Sequence, residues 1–186
     1  MAIDIAKLKS LQRPKGTPFT IGKLGHAVLN VSDLERSTRF YVEVLGFQIS
    51  DVYGEEMMPG GMVFMRFNPD HHGVALVGGL KEAGPKDQGG LHHIAFEVGT
   101  LEEVLRARDH LKKHNVPVHF EGRRRAGCQL AVEFRDPDGH NLEIYWGIDQ
   151  VGSDGTVRPP SEWKGAQSLE QAIADPVRGQ DTTRFD

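Results

Sequence analysis

The chain repeats itself, and that limits its folds more than any other feature. Gly25-His26, opening one apolar stretch, recurs as His92-His93 opening another. Asn68-Pro69-Asp70-His71-His72-Gly73-Val74-Ala75-Leu76 recurs as Asp136-Pro137-Asp138-Gly139-His140-Asn141-Leu142-Glu143-Ile144. Such a repeat means two copies of one supersecondary unit, each too small to bury a core alone. Both copies read strand, helix, three strands. In the first, residues 23–31 are a strand and Ser32 to Glu35 a capping box that opens a helix ending at Leu45. Gly46 is its left-handed stop, and strands follow over 47–52, 61–67 and 73–77. In the second, residues 91–98 are a strand, Thr100 to Glu103 a capping box, and 101–114 a helix. Three more strands then run over 116–120, 130–134 and 141–146.

The expected fold is therefore α+β: two βαβββ modules whose curved mixed sheets, helices packed outward, enclose one shared cleft. The modules cover about 22–80 and 90–147 of a domain spanning 22–147. Residues 1–21 form a basic arm with weak helical periodicity at Ile5, Leu8 and Leu11, expected to pack on the domain or on a partner subunit. Residues 148–186 form a polar tail with a short helix over 168–174, anchored by Trp163.

Strand alternation places the ligand-type side chains. Leu142, Ile144 and Trp146 share one face of the last strand, and Asn141, Glu143 and Tyr145 the other. A mid-strand carboxylate alone is as well explained by a solvated edge. In the two first strands, however, His26 and His93 fall on the corresponding faces, opposite the helix. His92 falls on the helix side as a structural residue. Ala75 stands at the repeat position of Glu143, so the pattern holds one acid. Each histidine alone is more often a hydrogen-bonded structural residue, but three repeat-related donors on one side form a set. Two imidazoles and a carboxylate leave positions of a divalent ion open, the arrangement of non-haem Fe(II) oxygenases.

Composition excludes several alternatives. A formal net charge of -4 gives no general attraction to nucleic acid or an anionic membrane. No apolar run is long enough to span a bilayer, no signal-peptide pattern opens the chain, and its single cysteine, Cys128, forms no internal disulfide. A cytoplasmic location is the expectation.

The segments GHAVLNVSDLERSTRFYVEVLGF, LHHIAFEV and DPDGHNLEIYW resemble the vicinal oxygen chelate superfamily. Within it the resemblance is to the single-domain type I extradiol dioxygenases of the catechol and 2,3-dihydroxybiphenyl kind, over residues 22–147. The resemblance implies Fe(II), with Mn(II) as an alternative, held by His26, His93 and Glu143. It also implies a small aromatic diol and O2 as substrates, with both oxygen atoms entering the product beside the diol. His72, in His72-Gly-Val-Ala-Leu, resembles the family's acid/base, although a solvated turn histidine would read the same. The family's further histidine and tyrosine are replaced here by the Arg123 to Arg125 run and by Glu133. Arg124, Arg125, Glu133 and Tyr145 are thus candidate substrate contacts, the arginines alternatively a solvated turn. Members of the superfamily often pair, so a homo-oligomer is implied. Other members are oxygen-independent lyases, isomerases and transferases, or metal-free binding proteins, and these remain the alternative readings.

Overall fold

The computed structural model describes residues 3–12, 22–81, 91–151 and 157–179. The parts of the arm and tail carrying Arg13, Lys15 and the 152–155 turn lie outside the described residues.

Two modules of the same plan build the α+β fold. In module 1, β1 (Ala27–Asn30), α2 (Leu34–Arg39), β2 (Gln48–Tyr53), β3 (Met62–Arg66) and β4 (Val74–Val77) follow a short N-terminal α1 (Ile5–Lys9). Module 2 repeats this as β5 (Ile94–Glu97), α3 (Leu101–Lys113), β6 (Val118–Arg123), β7 (Leu130–Arg135) and β8 (Asn141–Trp146), with α4 (Leu169–Ala174) in the tail. The sheets run β1-β4-β3-β2 and β5-β8-β7-β6. In each the first strand pairs in parallel with the last, and the other pairs are antiparallel. The two first strands, β1 and β5, are therefore sheet edges.

Local sequence explains the helices. Thr100 and Glu103 form the reciprocal capping box, each side chain taking the other's backbone N–H. In module 1 the cap is Asp33, whose carboxylate accepts from Arg36 N at 2.9 Å, and not Ser32. Ser32 is drawn away by the other module: its N–H and hydroxyl both donate to Asp138 at 2.7 Å. After α2 one wider π-helical turn, Phe40–Val44, ends at Gly46, whose φ of 75° is the expected left-handed cap.

The core lies on the helix-bearing faces of both sheets. Leu29, Val63, Met65, Val74 and Leu76 of one sheet and Leu130, Val132, Phe134 and Leu142 of the other are buried in one cluster with Val104 and Leu111 of α3. The modules meet through these faces. Phe40 lies 6.4 Å from Phe134, Phe47 lies 5.6 Å from Phe96, and Tyr41 donates to Asp136 at 3.0 Å. His110 of α3 meets the Val44 carbonyl at 2.9 Å, and Ser37 donates to Asp138. The helical layer is thus shared inward between the sheets, whereas the repeat pattern suggested helices outward around a common cleft. Periodicity marks which face of a strand is apolar, but not which module covers it.

The tail is docked by other residues than Trp163, which stays partly exposed. Leu169, Ala172 and Val177 are buried, and the buried Arg123 guanidinium donates to the carbonyls of Ala172 and Asp175 (2.7 Å). Gly122, at φ 149°, lets the tail cross β6: a Cβ there would sit 2.2 Å from Ala166 O. The apolar residues of α1 are exposed. No described helix is long and apolar enough to cross a membrane.

Candidate functional site

The face of module 2 opposite its helix carries a compact polar cleft. Strand register sets it up: Phe120 stands opposite Glu133, Glu133 opposite Glu143, and Glu143 opposite Ala95, one row across four strands. Two carboxylates directly opposed would repel. Arg124 relieves this by binding Glu133 (Nε to Oε1, 2.6 Å) while its guanidinium lies 3.7 Å over the Phe120 ring. Glu143 itself is only 3% exposed, and burial pushes its carboxyl above the usual range.

Around Glu143 the protein supplies little. Its side-chain hydrogen bond is a long one from Gln129 Nε2 at 3.4 Å, and the amide oxygen of Gln129 is buried without a hydrogen-bond partner. His93 Nε2 stands 3.6 Å from the carboxylate. A buried carboxylate so poorly compensated, faced by an imidazole, is the donor chemistry a divalent cation satisfies. In kind, these residues fit such an ion.

Sequence reasoning passed over His119. It faces Glu133 at 3.7 Å and lines the cleft with His93, Arg124 and Glu143. It sits at a β-bulge, where the β6–β7 register shifts between Val118 and Phe120. A bulge reverses the alternation beyond it, so His119 lines the cleft while Phe120, next in sequence, packs under Arg124. Module 1 carries the matching irregularity between Ile49 and Asp51. Burial lowers the His119 pKa, with Glu133 opposing and Arg135 and Arg124 adding to the lowering. A histidine in a strand that breaks register was the only available signal.

His92 also lines this cleft, its Nδ1 2.7 Å from that of His93, and is exposed, not on the helix side. Both histidines precede the first residue of β5, so strand alternation does not govern them. Asn141 Nδ2 ties the segment to β8 through His92 O at 3.0 Å. Tyr145 shares the Glu143 face, and its phenol is raised by burial, then by Glu97 and Glu143. The three arginines diverge. Arg123 clamps the tail, Arg124 lines the cleft, and Arg125 is exposed with its side chain beside Gly165.

His26 and His72 lie elsewhere. They stand together on module 1, ring centroids 4.5 Å apart, with Phe64 5.1 Å from His72 and His71 beside it. Burial, then His26 and His71, lower the His72 pKa, which holds it neutral and ready to accept a proton. The structure thus brings His93 and Glu143 together and His26 and His72 together, on different modules. Among the described residues no group of three or more His, Cys, Asp or Glu could hold a metal ion within one chain.

Residues 23–144 match the family model described as the Glyoxalase/Bleomycin resistance protein/Dioxygenase superfamily. A biphenyl-2,3-diol 1,2-dioxygenase of Paraburkholderia xenovorans is 30% identical over 81% of this chain and 51% of its own length. An iron-dependent extradiol dioxygenase of Rhodococcus jostii is 30% identical over 86% of this chain and 53% of its own. The chain spans about half the length of these relatives. Among solved structures, a fosfomycin resistance protein of Listeria monocytogenes aligns with a TM-score of 0.56 at 23% identity, over 68% of this chain and 94% of that one, a likeness of fold. With its repeated βαβββ plan and a family match running from β1 into β8, the chain belongs to the Glyoxalase/Bleomycin resistance protein/Dioxygenase superfamily.

Proposed function

We propose that the chain is an extradiol ring-cleaving dioxygenase acting on a catechol-type diol, of catechol or 2,3-dihydroxybiphenyl size. Its divalent ion, Fe(II) or Mn(II), would be held by His93 and Glu143; His26, the third donor that the resemblance implies, stands apart from them beside His72. The observation that carries this reading is Glu143, a 3% exposed carboxylate with one long hydrogen bond, facing His93 at 3.6 Å. Relatives named biphenyl-2,3-diol 1,2-dioxygenase and iron-dependent extradiol dioxygenase support it.

When bound, the ion would hold the diol and O2 side by side and let electrons pass between them. The chain's own residues do the rest. His72, whose pKa is lowered by burial and then by His26 and His71, is the proposed acid/base for the diol's proton, and it stands beside His26 on module 1. Arg124, stacked on Phe120 and bound to Glu133, is held at the cleft wall where it would contact the substrate. His119 places a second imidazole at the cleft.

A second reading has its own support. Glu133 stands directly across from Glu143, so a second carboxylate lies beside the first, which suits oxygen-independent lyase, isomerase or transferase chemistry on the same ion. Oxygen uptake after anaerobic loading with Fe(II) separates the two, using diols from catechol to 2,3-dihydroxybiphenyl. Ring cleavage gives uptake and a yellow product, both lost in Glu143→Ala. Bound metal without uptake supports the second reading.

A further inference from the structure

We propose that the groove between α2 and β2 on module 1 is a seat for the N-terminal helix α1 of a second copy of this chain, so that two copies exchange their arms.

The tail shows what such a groove takes. β2 and β6 are the outer edge strands of the two sheets and hold corresponding places in the repeat, each with its bulge. On module 2 the tail covers that edge: Ala166 pairs with Arg123, and α4 packs on β6 with Leu169 and Ala172 buried. Arg108 of α3 holds α4 there, donating to Glu170 at 2.7 Å while it stands 3.8 Å from Glu121 of β6. The same border on module 1 is open. Between α2, with its π-helical turn, and β2 lies a groove lined by Leu34, Thr38, Val42, Ile49, Val52 and Val63. Ile49 is 48% exposed and Val52 53%. Exposed apolar side chains on a sheet edge mark a surface built to be covered.

α1 has the form of the helix that covers the other edge. Each is capped by a side chain that accepts the N–H of its third residue, Asp4 from Lys7 and Ser168 from Gln171. The buried residues of α4, Leu169 and Ala172, are its first and fourth. Ile5 and Leu8 hold those two places in α1, and there they are 64% and 58% exposed. A helix of five residues does not persist in water by itself and needs packing along its apolar side. Charge agrees. α1 carries Lys7 and Lys9 and no acid, whereas the α2 rim of the groove carries Glu35 and Glu43, both bound to Arg39 between them. Two carboxylates to one guanidinium leave that rim a negative excess for a lysine. Within one chain the apolar side of α1 and the groove both stand open, so a second copy is the occupant. A twofold axis then seats each arm in the other's groove and leaves no helix free to recruit a third chain.

Sedimentation equilibrium of the full-length chain tests this without reference to catalysis. The wild type is expected to dimerise. Leu8→Glu on the arm and Val52→Glu in the groove each place a charge in the contact, and each is expected to raise the dissociation constant at least about tenfold. Both positions are exposed in the single chain, so thermal melts of the monomeric variants should match the wild type at the same dilution. Cysteine pairing then decides which arm fills the groove, with the native Cys128 buried. A chain carrying both Leu8→Cys and Val52→Cys is expected, on mild oxidation, to give disulfide-linked dimers. Copies with one of these cysteines each, differently tagged, should link tag to tag. A wild-type monomer, a dimer that neither glutamate weakens, or an internal bridge in the double-cysteine monomer overturns the proposal.

Discussion

At Glu143 the chain accepts a desolvation cost that a bound cation would relieve. A carboxylate at 3% exposure with one long amide contact is poorly compensated, so Glu143→Ala should leave folding intact or improved while reducing metal affinity at least about hundredfold. Isothermal titration with Mn(II), beside a thermal melt of the apo protein, reads both. His72→Ala should leave metal content unchanged and lower kcat for diol cleavage about 10²- to 10⁴-fold, the usual share of an acid/base; unchanged turnover would remove its assigned role. Asp138 is a structural acid, and its pH dependence is separate. Burial pushes its carboxyl up, but hydrogen bonds from Ser37 and Ser32 and the charge of Arg36 outweigh burial and hold it below the usual range. A depressed folded-state pKa adds stability that is complete above the unfolded value near about 4 and is lost as pH falls through the folded value. Asp138→Asn should therefore cost about 1–3 kcal/mol at neutral pH, with the gap to wild type narrowing below about pH 4. Urea titrations on either side of that value measure it.

Elements were legible where one rule governs a whole segment. Alternation over Leu142 to Trp146 correctly separates Glu143 from the core, and the Thr100 box opens α3 as written. Sequence fails where a second element intervenes. Ser32 looks like a cap, but Asp138, distant in sequence, claims it and Asp33 takes over. His92 and His119 escape the alternation rule because one precedes its strand and the other sits at a bulge. A three-arginine run reads as substrate contacts or as a solvated turn, yet its members go to tail, cleft and surface. The β6–tail contact is equally specific. Gly122→Ala would drive a Cβ against the Ala166 carbonyl and should free the tail, raising proteolysis after residue 150 in limited digestion while the two sheets persist. An undisturbed tail would show that Arg123 and the buried Leu169, Ala172 and Val177 hold it without the close approach at Gly122.

The whole molecule is two modules joined by one shared apolar core. Phe134 belongs to that joint through Phe40, so Phe134→Ala should cost about 3–5 kcal/mol and loosen the modules together in one cooperative transition. The relative placement of the modules was not readable from the repeat, which specifies two like faces without saying which pair meets. What unites the residues is the reaction they are proposed to serve. The direct measurement is turnover of 2,3-dihydroxybiphenyl and catechol by the Fe(II)-loaded protein under ¹⁸O₂, with mass analysis of the yellow product. Ring cleavage predicts that both atoms of one oxygen molecule appear in the opened product and that Glu143→Ala forms none. Stoichiometric bound metal with no oxygen consumed and the diols unchanged would contradict the account and turn the search toward oxygen-independent chemistry.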